Sequence, residues 1–186
     1  MSLQMQDEAL WIRRVAAGDR EAFEKLYSVY QRRLFSFLYR LVNEAGAAEE
    51  LVNDVMVEVW KSASRFRGDA KASTWIFAIA HHVMLNHVRR RKRESVDLEK
   101  AQHVAAPGPD PEAGAMHKGL QGEIRSALGR LSAEHREIVE LTFYEGYSYE
   151  EISAIVQCPV NTVKTRMFHA KKKLRDTLAR MGRDRL

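Results

Sequence analysis

The 186-residue sequence has one cysteine, four prolines and no long apolar run, and each shortage narrows the field. Cys158 alone cannot form an intramolecular disulfide. No Cys/His spacing resembles a zinc site, so a metal-free fold suited to a reducing compartment is expected. No stretch approaches the roughly 20 apolar residues that cross a bilayer. The N-terminus, MSLQMQDEALWIRR, lacks the basic-then-apolar order of a secretion signal. The expected location is therefore the cytoplasm. Alternating β-branched runs are almost absent, which argues against strands. GxSxG, P-loop and HExxH motifs and paired carboxylates are missing as well, so neither an enzyme nor a cofactor is expected.

What is present is helical and basic. Hydrophobic residues make up 45% of the chain and net charge is +5, the composition of a globular protein with an anionic partner. Three of the prolines fall within APGPDPEAG, inside a stretch with few large apolar residues and no sustained period. That stretch reads as a flexible linker over 96–120. It carries a net charge of −2, between a first block (1–95) of +4 and a second (121–186) of +3. The expected fold is all-α: two small helical domains joined by the linker, the C-terminal one a helix-turn-helix.

In the first block, Leu10, Val15 and Ala16 mark a short opening helix ended near Gly18, and Asp19 is placed to cap the next. That second helix has a broad apolar stripe through Phe23, Leu26, Tyr27, Tyr30, Leu34, Phe35, Leu38 and Leu41. A third helix runs from about Ala47 to Phe66. A fourth runs from Ser73 or Thr74 to the basic cluster at 89–93, with Ile79, Val83 and Val88 as its buriable stripe. The second block predicts helices near 119–131, 133–144, 148–157 and 160–180. Ser132 is placed to cap the second of these, Ser148 with Glu151 forms a capping box for the third, and Pro159 stops it. Asn161 is the expected N-cap of the fourth.

Residues 148–178, SYEEISAIVQCPVNTVKTRMFHAKKKLRDTL, have the order short helix, tight connection, longer basic helix. Period separates the faces of the longer one. Val160, Val163, Met167, Ala170, Leu174 and Leu178 fall at steps of three and four and face a core, leaving Thr162, Lys164, Thr165, Phe168, His169 and Lys172 outward. Such a face suits a major groove: Lys and Thr bond to phosphates and base edges, and a phenylalanine touches a thymine methyl. A basic helix is also what an ordinary solvated face looks like; the exposed phenylalanine and the capped preceding helix favour DNA. At the end of the first block, TWIFAIAHHVMLNHVRRRKR interleaves aromatics with arginine, a combination that suits single strands, although Trp75 and Phe77 read equally as core. His81, His82 and His87 are poor metal ligands, since adjacent helical histidines point about 100° apart.

At these residues the sequence resembles extracytoplasmic-function sigma factors of the sigma-70 family. AAEELVNDVMVEVWKSASRFRGDAKASTWIFAIAHHVMLNHVRRRKR is similar to the family's second conserved region and LSAEHREIVELTFYEGYSYEEISAIVQCPVNTVKTRMFHAKKKLR to its fourth. The resemblance implies a non-enzymatic initiation factor whose partners are core RNA polymerase, promoter DNA and an anti-sigma factor. It implies core polymerase binding by Asp54, Val55, Glu58 and Trp60. It also implies minus-10 recognition and melting by His82, Asn86, Arg89, Arg90, Arg91, Lys92 and Arg93. Minus-35 recognition falls to Asn161, Thr162, Lys164, Thr165, Phe168, His169 and Lys172. Three departures from the family pattern stand out: Glu50-Leu51-Val52-Asn53 where many relatives have Asp-Leu-Val-Gln, Asn86 for a commoner Asp, and His169 for a commoner Arg. The last two change hydrogen-bonding capacity, because a neutral His cannot make the bidentate guanine contact of Arg, worth about 1–3 kcal/mol.

Two other readings compete on the residues alone. A regulator that binds duplex DNA without polymerase explains the second block and leaves the basic end of the first unused. An interaction module explains the amphipathic helices and not the recognition helix.

Overall fold

The computed structural model describes residues 2–101 and 120–183; most of the expected linker lies outside them. Every regular element among these residues is helical: α1 (Ser2–Ala16), α2 (Arg20–Val42), α3 (Ala45–Ser62), a 3-10 turn (Ala63–Arg65), α4 (Ala72–Ala101), α5 (Leu120–Gly129), α6 (Ala133–Phe143), α7 (Tyr149–Val156) and α8 (Val160–Arg183). No helix of the described residues is long and apolar enough to cross a membrane. The chain packs as two compact units, residues 1–88 with 150–158 and residues 89–149 with 159–186.

In the first unit α2 packs between α1 and α3, and the 3-10 turn closes against α1 and α3. Gly18 supplies the positive φ of +85° that turns the chain out of α1. The Asp19 carboxylate then accepts from the Ala22 amide at 3.1 Å and takes the Arg14 guanidinium at 2.6 Å. The backbone hydrogen bond, aided by Arg14, holds the Asp19 carboxyl below its usual pKa. At the other end Asn43 adopts the left-handed conformation, φ 57°, and donates its N–H to the Tyr39 carbonyl.

The buried face of α2 is Ala22, Leu26, Tyr30, Leu34, Phe37 and Leu38, a narrower stripe than the eight residues read from sequence. Phe23, Tyr27, Phe35 and Leu41 lie on its half-buried shoulders. Tyr30 is fully enclosed, and its hydroxyl donates to Glu8 at 2.6 Å, so burial of the ring leaves no orphaned polar atom. On α1 the core residues are Ile12 and Val15, while Leu10 is half exposed and Ala16 is exposed; of the three residues that mark the opening helix, Val15 alone is buried.

The α4 core face is Ala72, Ile76, Phe77, Ala80 and Met84. The expected stripe of Ile79, Val83 and Val88 is off-centre: the first two are half buried and Val88 is exposed. Phe77 takes the central place, its ring 5.2 Å from that of Phe37, with the Arg33 guanidinium 5.3 Å over its face.

In the second unit α5 and α6 both pack on α8. Ser132 caps α6 by accepting from His135 N–H at 3.4 Å. Arg136 spans the α5–α6 junction, donating to the carbonyls of Leu128 at 3.1 Å, Gly129 at 2.9 Å and Leu131 at 3.3 Å. These bonds satisfy the open carbonyls at the end of α5. Burial lowers the pKa of Arg136 and Glu140 opposes the shift, yet a guanidinium retains its charge through such a change.

Candidate polymerase and nucleic-acid interfaces

The α3 sequence divides cleanly around the helix. Ala47, Ala48, Leu51, Val52, Val55, Met56 and Val59 are buried, and Asn53, Asp54, Val57 and Glu58 point to solvent. Of the four residues assigned to polymerase, Asp54 and Glu58 are exposed. Trp60 is 36% exposed, held edge-on by Phe23 at 5.2 Å and 85°. Val55 is corrected: it is fully enclosed and supports the face from beneath without reaching a partner. Val57, missed from sequence, takes its place at 49% exposure. Its register gave the signal, three residues after Asp54 and one before Glu58. The outer face thus combines two carboxylates with a valine and an indole, a surface suited to an amphipathic basic element.

Along α4 the outward positions His82, Asn86, Arg89 and Arg93 recur at steps of four, three and four, so they lie on one stripe. Arg90 and Arg91 are exposed beside it. Lys92 lies on the same helix. The helix continues through Ala101, six residues into the span expected to be linker. Neighbouring rings separate the stripe from the core: His81 is buried, its ring 5.5 Å from that of His82. Phe77 is enclosed, and Trp75 is half buried against Phe66 at 5.3 Å, so neither offers a free stacking face. The stripe therefore presents polar hydrogen-bonding groups followed by guanidinium groups, the first able to address base edges and the second phosphates.

The connection into α8 is closed by its own backbone. Gln157 adopts a positive φ of 50°. The Ser153 hydroxyl donates to the Cys158 carbonyl at 2.6 Å, and the Cys158 N–H donates to the Ser153 carbonyl at 3.2 Å. The Pro159 carbonyl accepts from Thr162 at 2.8 Å and Val163 at 3.2 Å. Asn161 is corrected as an N-cap: α8 begins at Val160, so Asn161 lies inside its first turn. The Asn161 carbonyl accepts from the Thr165 hydroxyl at 2.9 Å, and the Asn161 side chain stays exposed.

Lys164, Thr165, Phe168, His169 and Lys172 are exposed and Thr162 is half buried, so the predicted outward face is brought together. Phe168 is 65% exposed and meets His169 edge-on at 5.5 Å. Val163, Met167 and Ala170 are enclosed as expected. Val160 and Leu174 are half buried and Leu178 is exposed. Leu174 and Leu178 line an apolar cavity of about 230 Å³ with Ile124, Val139, Phe143 and Tyr144. Lys171 lies 5.8 Å over the exposed Phe143 ring.

Two residues of α6 adjoin the α8 face and escaped sequence reading, because only folding brings them there. Glu134 pairs with Arg166 at 3.0 Å, and the His135 ring lies 6.3 Å from that of His169, inclined by 37°. Desolvation first, then the charge of His169, lowers the His135 pKa, with Arg166 and Lys173 acting in the same sense and Glu134 against it.

Comparison with known proteins agrees with this geometry. Residues 26–94 match the family model described as sigma-70 region 2, and residues 121–174 match that of sigma-70 region 4. The chain is 28% identical to the RNA polymerase sigma-H factor of Pseudomonas aeruginosa, over 99% of this chain and 100% of that one. It is 31% identical to the extracytoplasmic-function RNA polymerase sigma-E factor of Escherichia coli, over 92% and 94% of the two chains. Among solved structures, the sigma factor RpoE from Bartonella quintana, crystallised with the anti-sigma factor NepR, superposes with a TM-score of 0.69 at 26% identity. That match covers 84% of this chain and 96% of the other. CnrH, solved with the cytosolic domain of CnrY, has a TM-score of 0.68 at 22% identity, over 93% and 97% of the chains, and supports the fold. With both conserved regions in order and a relative above 30% identity along nearly its whole length, the chain belongs to the extracytoplasmic-function sigma factors of the sigma-70 family.

Proposed function

We propose that this sigma factor divides its labour along the chain: residues 1–95 for polymerase binding and minus-10 recognition, 96–120 as a linker, and 121–186 for minus-35 recognition. The outer face of α3, with Asp54, Val57, Glu58 and Trp60, takes the polymerase. The α4 stripe of His82, Asn86 and the arginines that follow handles the minus-10 element, and the outward face of α8 enters the minus-35 major groove. The observation that carries this reading is the α8 face, where a phenylalanine and two lysines stand in solvent beside a threonine and a histidine. On that face the Phe168 ring is free to pack on the methyl group of a thymine in a groove.

Energetics support dependence on polymerase. Opening a dozen base pairs costs on the order of 15 kcal/mol at about 1.4 kcal/mol per step. Two or three captured bases return only about 2–9 kcal/mol. The protein alone therefore does not hold a bubble open, and polymerase supplies the difference. The work is done in the cytoplasm, where the polymerase is. Control by an anti-sigma factor is supported by the Bartonella relative bound to one.

The test is run-off transcription from a randomised promoter pool by core polymerase with and without the protein. Enrichment of templates sharing two spaced elements is expected. Transcripts indistinguishable from those of core polymerase alone would contradict the reading.

A further inference from the structure

The α8 face is joined by a residue from another helix. His135 stands at the third position of α6, where its N–H is held by the Ser132 cap, and its ring faces His169 across 6.3 Å. The charged groups acting on the His135 ring are Glu134 on α6 and Arg166 and Lys173 on α8, with Lys172 three residues after His169 on its own helix. Glu134 is engaged by Arg166 at 3.0 Å, so the one carboxylate near the pair is already partly neutralised. The other charged groups acting on His135 are cationic, and like charges disfavour a proton on its imidazole.

We propose that His135 and His169 form a two-histidine proton switch on the DNA-facing surface, so that the protein takes up a proton as it engages the minus-35 duplex and binds it more tightly as pH falls. The proposal rests on the reading of α8 as the recognition helix. In the free protein desolvation first, and then the charge of His169 and the neighbouring cations, hold the His135 pKa below its ordinary value. An approaching phosphate backbone reverses the local sign. Its negative charge stabilises an imidazolium that the free protein disfavours, and a protonated ring offers two N–H donors where a neutral one offers a single donor. An arginine at 169 would hold its charge at every physiological pH; a histidine makes the charge there conditional on a proton.

The thermodynamic sign follows from linkage. Binding that takes up one proton strengthens by up to about tenfold for each unit of falling pH across the titration range. The experiment uses holoenzyme and the promoter duplex it selects from a randomised pool at pH 7, with affinity measured at fixed salt at pH 8 and pH 6. Between pH 8 and pH 6 unmodified holoenzyme is expected to gain at least about fivefold more affinity than the same holoenzyme carrying His135→Gln or His169→Gln. Any pH response from groups elsewhere is shared by all three proteins and cancels in the comparison.

Lys164→Ala separates the two levels of the argument. If it leaves affinity unchanged, α8 is not the recognition helix and the switch fails with it. If Lys164→Ala weakens binding while the histidine variants keep the full pH response, the recognition helix stands and the switch is refuted. In the free chain, histidine proton NMR gives a second reading: His169→Gln should move the His135 titration to higher pH. An unmoved His135 titration would overturn the coupling regardless of DNA.

Discussion

Val55 and Val57 lie two positions apart on α3, one enclosed and the other half exposed, and they separate support from contact. Val55→Ala should lower stability by about 1–3 kcal/mol through lost burial and the cavity left behind, read by urea denaturation. Val57→Asp should leave that stability within about 0.5 kcal/mol while weakening competition for core polymerase; an unchanged competition curve would remove Val57 from the interface. Asn86 keeps hydrogen-bonding capacity without the charge of the commoner Asp. Asn86→Ala should therefore reduce permanganate reactivity of minus-10 thymines with closed-complex affinity retained, and normal reactivity would reject its role in opening. Asp19 provides a pH test. Its folded carboxyl is depressed mainly by the Ala22 amide, so its stabilisation is present above the unfolded value of about 3.9 and is lost as pH falls through the folded one. The melting-temperature gap between the unmodified protein and Asp19→Ala should narrow from pH 6 to pH 3; a constant gap would show that the charge is not what stabilises the turn.

Among the elements, α4 has most to do and was least completely read. Its outward stripe adds guanidinium charge beyond the polar residues. Each phosphate contact steepens the salt dependence of binding, by about 0.7 for single strands and about 0.9 for duplex in the log–log slope. Arg89→Ala should flatten the slope of holoenzyme binding by about that amount, and an identical slope would place Arg89 off the backbone. The sequence made every helix and most boundaries legible, because Gly18, Asp19, Ser132 and Pro159 each break or cap a helix for a local chemical reason. Phase was less legible. Ile79 and Val83 are as apolar as Ile76 and Phe77, and only packing against Phe37 decides which pair is central. The α8 start falls one residue before Asn161, and the Pro159 carbonyl accepts the first hydrogen bonds of the helix, from Thr162 and Val163. Gln157 at positive φ left no glycine to announce the turn. The proximity of His135 to His169 had no local signal at all, since 34 residues separate them in the chain.

At the scale of the whole molecule, two basic blocks of +4 and +3 flank an acidic stretch of −2, and family membership follows from two conserved regions in one order. The outward face of α8 was readable because an amphipathic helix separates an apolar face from a polar one, and that separation is periodic. The proposed polymerase role of the α3 outer face came only from resemblance, and Val55, one of its four residues, is buried. The central claim is that the chain acts with polymerase and not alone. The most direct test mixes purified protein, folded and free of inhibitor, with bacterial core RNA polymerase, follows co-elution, and adds a housekeeping sigma factor as competitor. Stoichiometric co-elution that the competitor reverses is the predicted result. Failure to bind core polymerase, with specific duplex binding by the isolated chain, would contradict the account and favour a regulator that works without polymerase.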